Sequence, residues 1–141
     1  MKNTASAHWV GNFKQGKGTI STQSGALKHN PYGFNTRFEG AAGTNPEELI
    51  GAAHAGCFTM AFAAMLGEAG FVADAIDTTA TVTLEQSGDG FTITAVHLDM
   101  SAHINGIDHG KFENIASKAK AGCPVSRLLN ARITLDARLE N

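Results

Sequence analysis

A chain of 141 residues is long enough to bury one sizeable core and too short for two ordinary domains. Its formal net charge of −2, with only 11 Lys and Arg together, leaves no basic excess for neutralising phosphates and argues against nucleic acid as a ligand, while 43% hydrophobic residues exclude a disordered chain. Charged residues make up 17%, their place taken by 22 Ala and 16 Gly, and a surface so poor in charge points to coverage by a partner.

In chain order, residues 7–10 and 18–22 read as short strands around a turn at 14–18, and 30–33 reads as a further break around Pro31. Residues 34–39 form a third candidate strand, and the glycine-rich stretch 40–43 leads to a long helix over about 46–69. Asn45 as cap, Pro46 at the first helical position and Glu48 as the return partner of a capping box mark its start, and Gly70 marks its stop. Nineteen consecutive positions of that helix, 49–67, carry no Asp, Glu, Lys or Arg. Its length approaches the roughly 20 residues of a membrane span. However, His54, the internal glycines Gly51, Gly56 and Gly67, and the heavy use of Ala favour a helix buried on all sides in a core or a dimer. No membrane partner is expected.

Residues 79–85 alternate as a half-buried strand, 87–90 is a hairpin turn, and 91–100 is the return strand. The apolar phase of that strand switches from Phe91 and Ile93 to Val96, Leu98 and Met100, which predicts a bulge near Ala95. Phe112, Ile115, Ala116 and Ala119 mark an amphipathic helix ended by Gly122, and Pro124 opens a short helix to Leu129. The last strand turns Ile133, Leu135, Ala137 and Leu139 inward and Arg132, Thr134, Asp136 and Arg138 outward. The pattern is ββ(β)–α–ββ–αα–β. It describes a single α+β domain with antiparallel sheet, comprising a β arm over about 1–43, the central helix, and a ββααβ half over about 78–140.

Two cysteines are too few for a disulfide-stapled secreted domain, and Met1 to Val10 lacks the apolar core of a signal peptide. A reducing cytoplasm is the expected location. Cys57 lies midway along the central helix with Ile50, Ala53, His54, Ala61 and Ala64 on an apolar face, which suits a small packed hydrophobe and raises a thiol pKa. A reactive Cys57 needs a cation brought from elsewhere. Cys123, between Gly122 and Pro124, occupies the N-cap position of the short helix, where it is either a plain cap residue or a favoured thiolate. The two are 66 residues apart, so any pairing is tertiary. His54, Cys57 and Cys123 offer a weak metal reading without the ligand spacing of a zinc site. No serine-hydrolase elbow, phosphate loop or dinucleotide fingerprint is present, and no cofactor is expected.

The run PYGFNTRFEG at 31–40, GTNPEELIGAAHAGCF at 43–58 and KAGCPVS at 120–126 together resemble the OsmC family of thiol peroxidases, and the likeness covers essentially the whole chain. The resemblance implies an OsmC-like fold, with antiparallel sheets wrapped around long central helices in an intertwined homodimer. It implies Cys57 as the peroxidatic cysteine, Cys123 as the resolving one, and Arg37 with Glu47 as the polar pair serving the thiolate. The related Ohr branch carries its arginine in the first hairpin turn. This chain has Lys14-Gln15-Gly16-Lys17-Gly18 there, and Arg37 takes the place of that arginine, as in OsmC proper.

The implied activity is reduction of organic hydroperoxides, and of H₂O₂ less well, in oxidative and osmotic stress defence. A dithiol, with a lipoyl protein as one candidate, would reset the enzyme. The alternative use of the same residues is a non-enzymatic redox sensor or a module that binds apolar ligands. Glu47 and Cys57 stand ten residues apart on one helix, about 15 Å along its axis, so Glu47 does not reach the Cys57 of its own chain. An antiparallel partner helix would supply it, giving two composite sites per dimer.

Overall fold

Three short strands, β1 (Ala5–Val10), β2 (Lys17–Thr22) and β3 (Asn30–Tyr32), form an antiparallel sheet in that order. The computed structural model describes residues 1–141, whose contacts divide into two units, Met1–Leu49 and Ile50–Asn141, and this sheet belongs to the first. Its register sets Trp9, Gly18 and Tyr32 in one row. The two rings close over the glycine with centroids 5.4 Å apart. A β-carbon at Gly18 would lie 2.4 Å from the Tyr32 ring and 2.6 Å from that of Trp9, so only glycine admits this packing. Residues 30–32, expected as a break, instead extend the sheet. Pro31 is tolerated because an edge strand can spare one donor, and its carbonyl accepts from the Thr44 N–H at 2.8 Å.

The second correction concerns residues 34–39, which form not a strand but a short helix, α1 (Phe34–Phe38). The Thr36 hydroxyl accepts from the Gly33 N–H at 2.9 Å and binds the carbonyl of the same residue at 3.1 Å, which folds the chain back within one turn. Phe34 and Phe38 are spaced for one face of either element. Here their rings meet each other at 4.9 Å and that of Phe13 at 5.3 and 6.4 Å. Local capping and this three-ring cluster outweigh the strand-like pattern.

The long helix α2 (Pro46–Glu68) begins as expected, with the Asn45 side chain accepting from the Glu48 N–H at 2.8 Å. It ends where Gly70 takes φ +87°, with Phe71 N–H to Leu66 O at 2.9 Å and Gly70 N–H to Gly67 O at 3.1 Å, the paired bonds of a Schellman stop. Gly51, His54, Phe58, Phe62 and Leu66 share one buried face. The opposite face, with Ala52, Ala53, Gly56, Met60, Ala63 and Ala64, is exposed on the single chain. The chain thus covers one side of a helix that the sequence reading places in a fully buried position.

In the second unit, β4 (Ala73–Ser87) and β5 (Gly90–Ile104) form a long hairpin closed at Gly88 and Asp89. Thr83 faces Ala95 while Leu84 faces Ile93, so Thr94 is the extra residue of the bulge foreseen near Ala95. Strand β6 (Arg132–Leu139) alternates as expected but pairs parallel to β5, where antiparallel pairing was expected throughout. The reason is its connection. A crossover through α3 (His109–Gly122) and α4 (Pro124–Leu128) returns the chain to the same end of the sheet. Val96, Leu98, Met100 and Ile104 of β5 build the core with Phe58, Phe62 and Leu66 of α2 and Phe112, Ile115, Ala116 and Ala119 of α3. Burial of each large side chain here contributes roughly 1.5–3 kcal/mol. This core fixes α2 and the α3–α4 junction, and with them both cysteines.

Candidate active site

Cys57 lies on α2 one turn beyond His54, at the border between the buried and exposed faces. Cys123 is fully buried and serves at once as the C-cap of α3 and the N-cap of α4, its extended backbone (φ −61°, ψ 134°) breaking one helix and starting the next. Its Sγ accepts from the Ser126 N–H at 3.4 Å, the capping bond expected of that position. Packing on the core sets the two free thiols close enough for each to act on the other's ionisation, and the Val125 backbone acts on both.

The two sulfurs differ electrostatically. Burial pushes the Cys57 thiol up, the neighbouring Cys123 sulfur adds to the rise, and the Val125 backbone bond opposes it. Burial acts in the same upward sense on Cys123. There it is outweighed by the Ser126 hydroxyl, the Ser126 N–H, the Cys57 thiol and the Val125 backbone, so this thiol moves down. Within one chain Cys123 is the better thiolate, and no cation contributes to either sulfur. The apolar face expected to make Cys57 resist ionisation does so.

His54 is fully buried. Its Nε2 lies 2.7 Å from Ser126 Oγ, while its Nδ1 is buried without a partner. Burial lowers its pKa from 6.5, so the folded chain binds the proton more weakly than the unfolded chain. Stability contributed by neutral His54 is therefore full above about pH 6.5 and declines as pH falls through the lower folded-state pKa, with a slope of at most about 1.4 kcal/mol per pH unit. Urea unfolding between pH 7 and pH 5 should show this decline in the wild type. His54→Leu should lose that part of the slope.

The other two predicted residues also meet each other. Arg37 at the end of α1 and Glu47 in the first turn of α2 form a bidentate pair, Nη2 to Oε1 at 2.6 Å and Nε to the two carboxylate oxygens at 3.1 and 3.2 Å. Nη1 takes no part, so the guanidinium keeps one donor edge while its plane is held. Arg37 also stacks on Phe38, its Cζ 5.2 Å from the ring centroid. It lines an apolar cavity of about 220 Å³ walled by Trp9, Phe13, Tyr32, Phe34 and Phe38. The four predicted residues are thus paired two by two, Arg37 with Glu47 in Met1–Leu49 and Cys57 with Cys123 in Ile50–Asn141.

No three His, Cys, Asp or Glu side chains converge as a metal site, and His54, Cys57 and Cys123 form no such group. Val125, which bears on both thiols, and Ser126, which bears on Cys123, were not singled out from the sequence. Their only signal there was membership of the GCPVS run.

Residues 38–138 match the family model described as OsmC-like protein. The chain is 60% identical over 135 residues to Peroxiredoxin OsmC of Escherichia coli K12, covering 96% of this chain and 94% of that protein. It is 27% identical over 124 residues to Organic hydroperoxide resistance protein OhrB of Bacillus subtilis, covering 87% and 88%. An OsmC-like protein of unknown function from Vibrio cholerae has the same fold, with a TM-score of 0.77 at 14% identity over 97% of this chain and 99% of its own.

Proposed function

The chain belongs to the OsmC-like protein family, and from that premise we propose that it is a peroxidase that reduces organic hydroperoxides through Cys57 and Cys123. The observation that carries this reading is the proximity of two free thiols that act on each other's ionisation, one of them fully buried at a helix cap. The Cys57 thiolate attacks the terminal peroxide oxygen, the O–O bond breaks, and the alkoxide takes a proton and leaves as alcohol. Cys57 is left as a sulfenic acid. Cys123 attacks that sulfur, forming the disulfide and releasing water, which protects Cys57 from further oxidation. A dithiol of the lipoyl type then reduces the disulfide by exchange, in a cytoplasm that favours free thiols.

Cys57 needs a cation to ionise, and Arg37, oriented by Glu47, is the candidate. Glu47 precedes Cys57 by ten helical residues, about 15 Å, so the pair serves the Cys57 of a second chain. The exposed, uncharged, small-residue face of α2 supports a homodimer in which two such helices cross. The aromatic cavity beside Arg37 suits an alkyl or aryl group rather than the hydrated H₂O₂ molecule, which supports the organic substrate.

The test is consumption of cumene hydroperoxide and H₂O₂ in excess dihydrolipoate. An enzyme consumes many equivalents per chain and prefers the organic substrate. Consumption that stops at one equivalent would instead make the protein a stoichiometric redox sensor.

A further inference from the structure

A buried histidine with no part in the peroxide chemistry is connected to the second sulfur. His54 Nε2 lies 2.7 Å from Ser126 Oγ, and Ser126 Oγ lies 3.4 Å from Cys123 Sγ. We propose that His54 is a positioning residue for Cys123, acting through Ser126 so that it sets the rate of disulfide formation and not the rate of peroxide attack. The proposal rests on the assignment of Cys123 as the resolving cysteine.

The direction of the chain of bonds follows from the unpartnered nitrogen. Nδ1 is buried and has no partner. A buried N–H without an acceptor costs more than an idle lone pair. The proton of the neutral ring therefore sits on Nε2, which donates to Ser126 Oγ. With its oxygen accepting from His54 and, in the reduced chain, from the Cys123 thiol at 3.4 Å, Ser126 keeps a hydroxyl proton that it turns toward Cys123 Sγ once that thiol ionises, and the same sulfur accepts from the Ser126 N–H at 3.4 Å. Donors aimed at a sulfur favour its thiolate. The groups acting on Cys123, namely the Ser126 hydroxyl and N–H, Cys57 and the Val125 backbone, are all uncharged, so no ion competes with this effect.

Resolution needs that thiolate. Cys123 S⁻ attacks the Cys57 sulfenic sulfur, the S–S bond forms as the S–O bond breaks, and the departing hydroxide takes up a proton equal to the one Cys123 released to solvent. The peroxide step runs at Cys57, on which neither His54 nor Ser126 acts, so the two steps respond differently to His54.

The experiment follows both steps in the full-length reduced protein after one equivalent of cumene hydroperoxide. Sulfenic acid on Cys57 is read by a trapping reagent, and the disulfide by non-reducing peptide mapping over time. His54→Leu, which keeps an apolar side chain of similar size, and Ser126→Ala should each slow disulfide formation roughly 10-fold or more, with sulfenic acid accumulating, and leave peroxide attack within about 2-fold. His54→Gln, which presents an amide N–H toward Ser126, should restore resolution to within about 3-fold of wild type. In a Cys57→Ser background, the ultraviolet thiolate absorbance of Cys123 at neutral pH should fall with His54→Leu and recover with His54→Gln.

Wild-type resolution in Ser126→Ala, equal slowing of both steps, or His54→Gln as slow as His54→Leu would overturn the role. If His54→Leu does not fold, Ser126→Ala and His54→Gln decide it alone. Failure of the underlying assignment looks different. A Cys123→Ser chain would then clear its sulfenic acid as fast as wild type.

Discussion

Cys57→Ser and Arg37→Met should each lose hydroperoxide turnover, by about 10⁴-fold or more and by about 10²- to 10³-fold respectively, and should recover it when both chains share the proposed dimer. The first loss removes the nucleophile. The second would remove the cation proposed to serve Cys57, whose thiol is raised by burial and by the adjacent Cys123 sulfur. Recovery follows from helix geometry. Glu47 holds Arg37 at the start of α2, ten residues before Cys57, so the composite site proposed here would take its sulfur from one chain and its guanidinium from the other. A mixed dimer then contains one complete site and one site lacking both groups. Equal amounts of the two variants, co-refolded at random, should restore about a quarter of wild-type turnover. If Arg37 instead served its own chain, no mixture would recover. Arg37→Lys should rescue little, since an ammonium cannot be gripped by both Glu47 oxygens while presenting a second donor edge.

The second large effect is that of Cys123→Ser. Its first equivalent of hydroperoxide should be consumed at about the wild-type rate, because the proposed attacking sulfur, Cys57, is untouched. Turnover then falls about 10²-fold or more as Cys57 remains a sulfenic acid and proceeds to the sulfinic acid in excess peroxide. Mass spectrometry should show two added oxygens on Cys57 in the variant and none in the wild type under the same challenge. A variant that keeps turning over without loss would show that the dithiol reduces the sulfenic acid directly and that Cys123 is only a cap.

Parts of this fold that depend on local chemistry were legible in the sequence. Asn45, Pro46 and Glu48 mark the start of α2 because capping is decided within four residues, and the phase switch in β5 marks its bulge because alternation is a property of one strand. Parts that depend on tertiary contacts were not. Residues 34–38 turn into a helix because Thr36 bonds back to Gly33 and because Phe13, distant in sequence, supplies the third ring of a cluster. The direction of β6 is set by the path of a crossover, to which the strand's own alternation is blind.

The site shows the same division. Cys57 and Cys123 could be named from motif resemblance, and the cap position of Cys123 from Gly122 and Pro124. Their proximity across 66 residues of chain, and the link from His54 to Cys123 through Ser126, exist only once α2 and the α3–α4 junction pack on one core. The scarcity of charge also acquires a location. The uncharged stretch of α2 keeps one face in the core and leaves a small-residue face open, which the dimer proposed here would cover.

The most direct test is a one-equivalent oxidation. The reduced protein is mixed with one equivalent of cumene hydroperoxide per chain, and its thiols, its disulfide linkage and the organic product are measured together. The account predicts loss of both thiols, one Cys57–Cys123 disulfide within each chain, and one equivalent of the alcohol. Hydroperoxide left unconsumed, alcohol formed with both thiols intact, or a disulfide joining cysteines of different chains would contradict it.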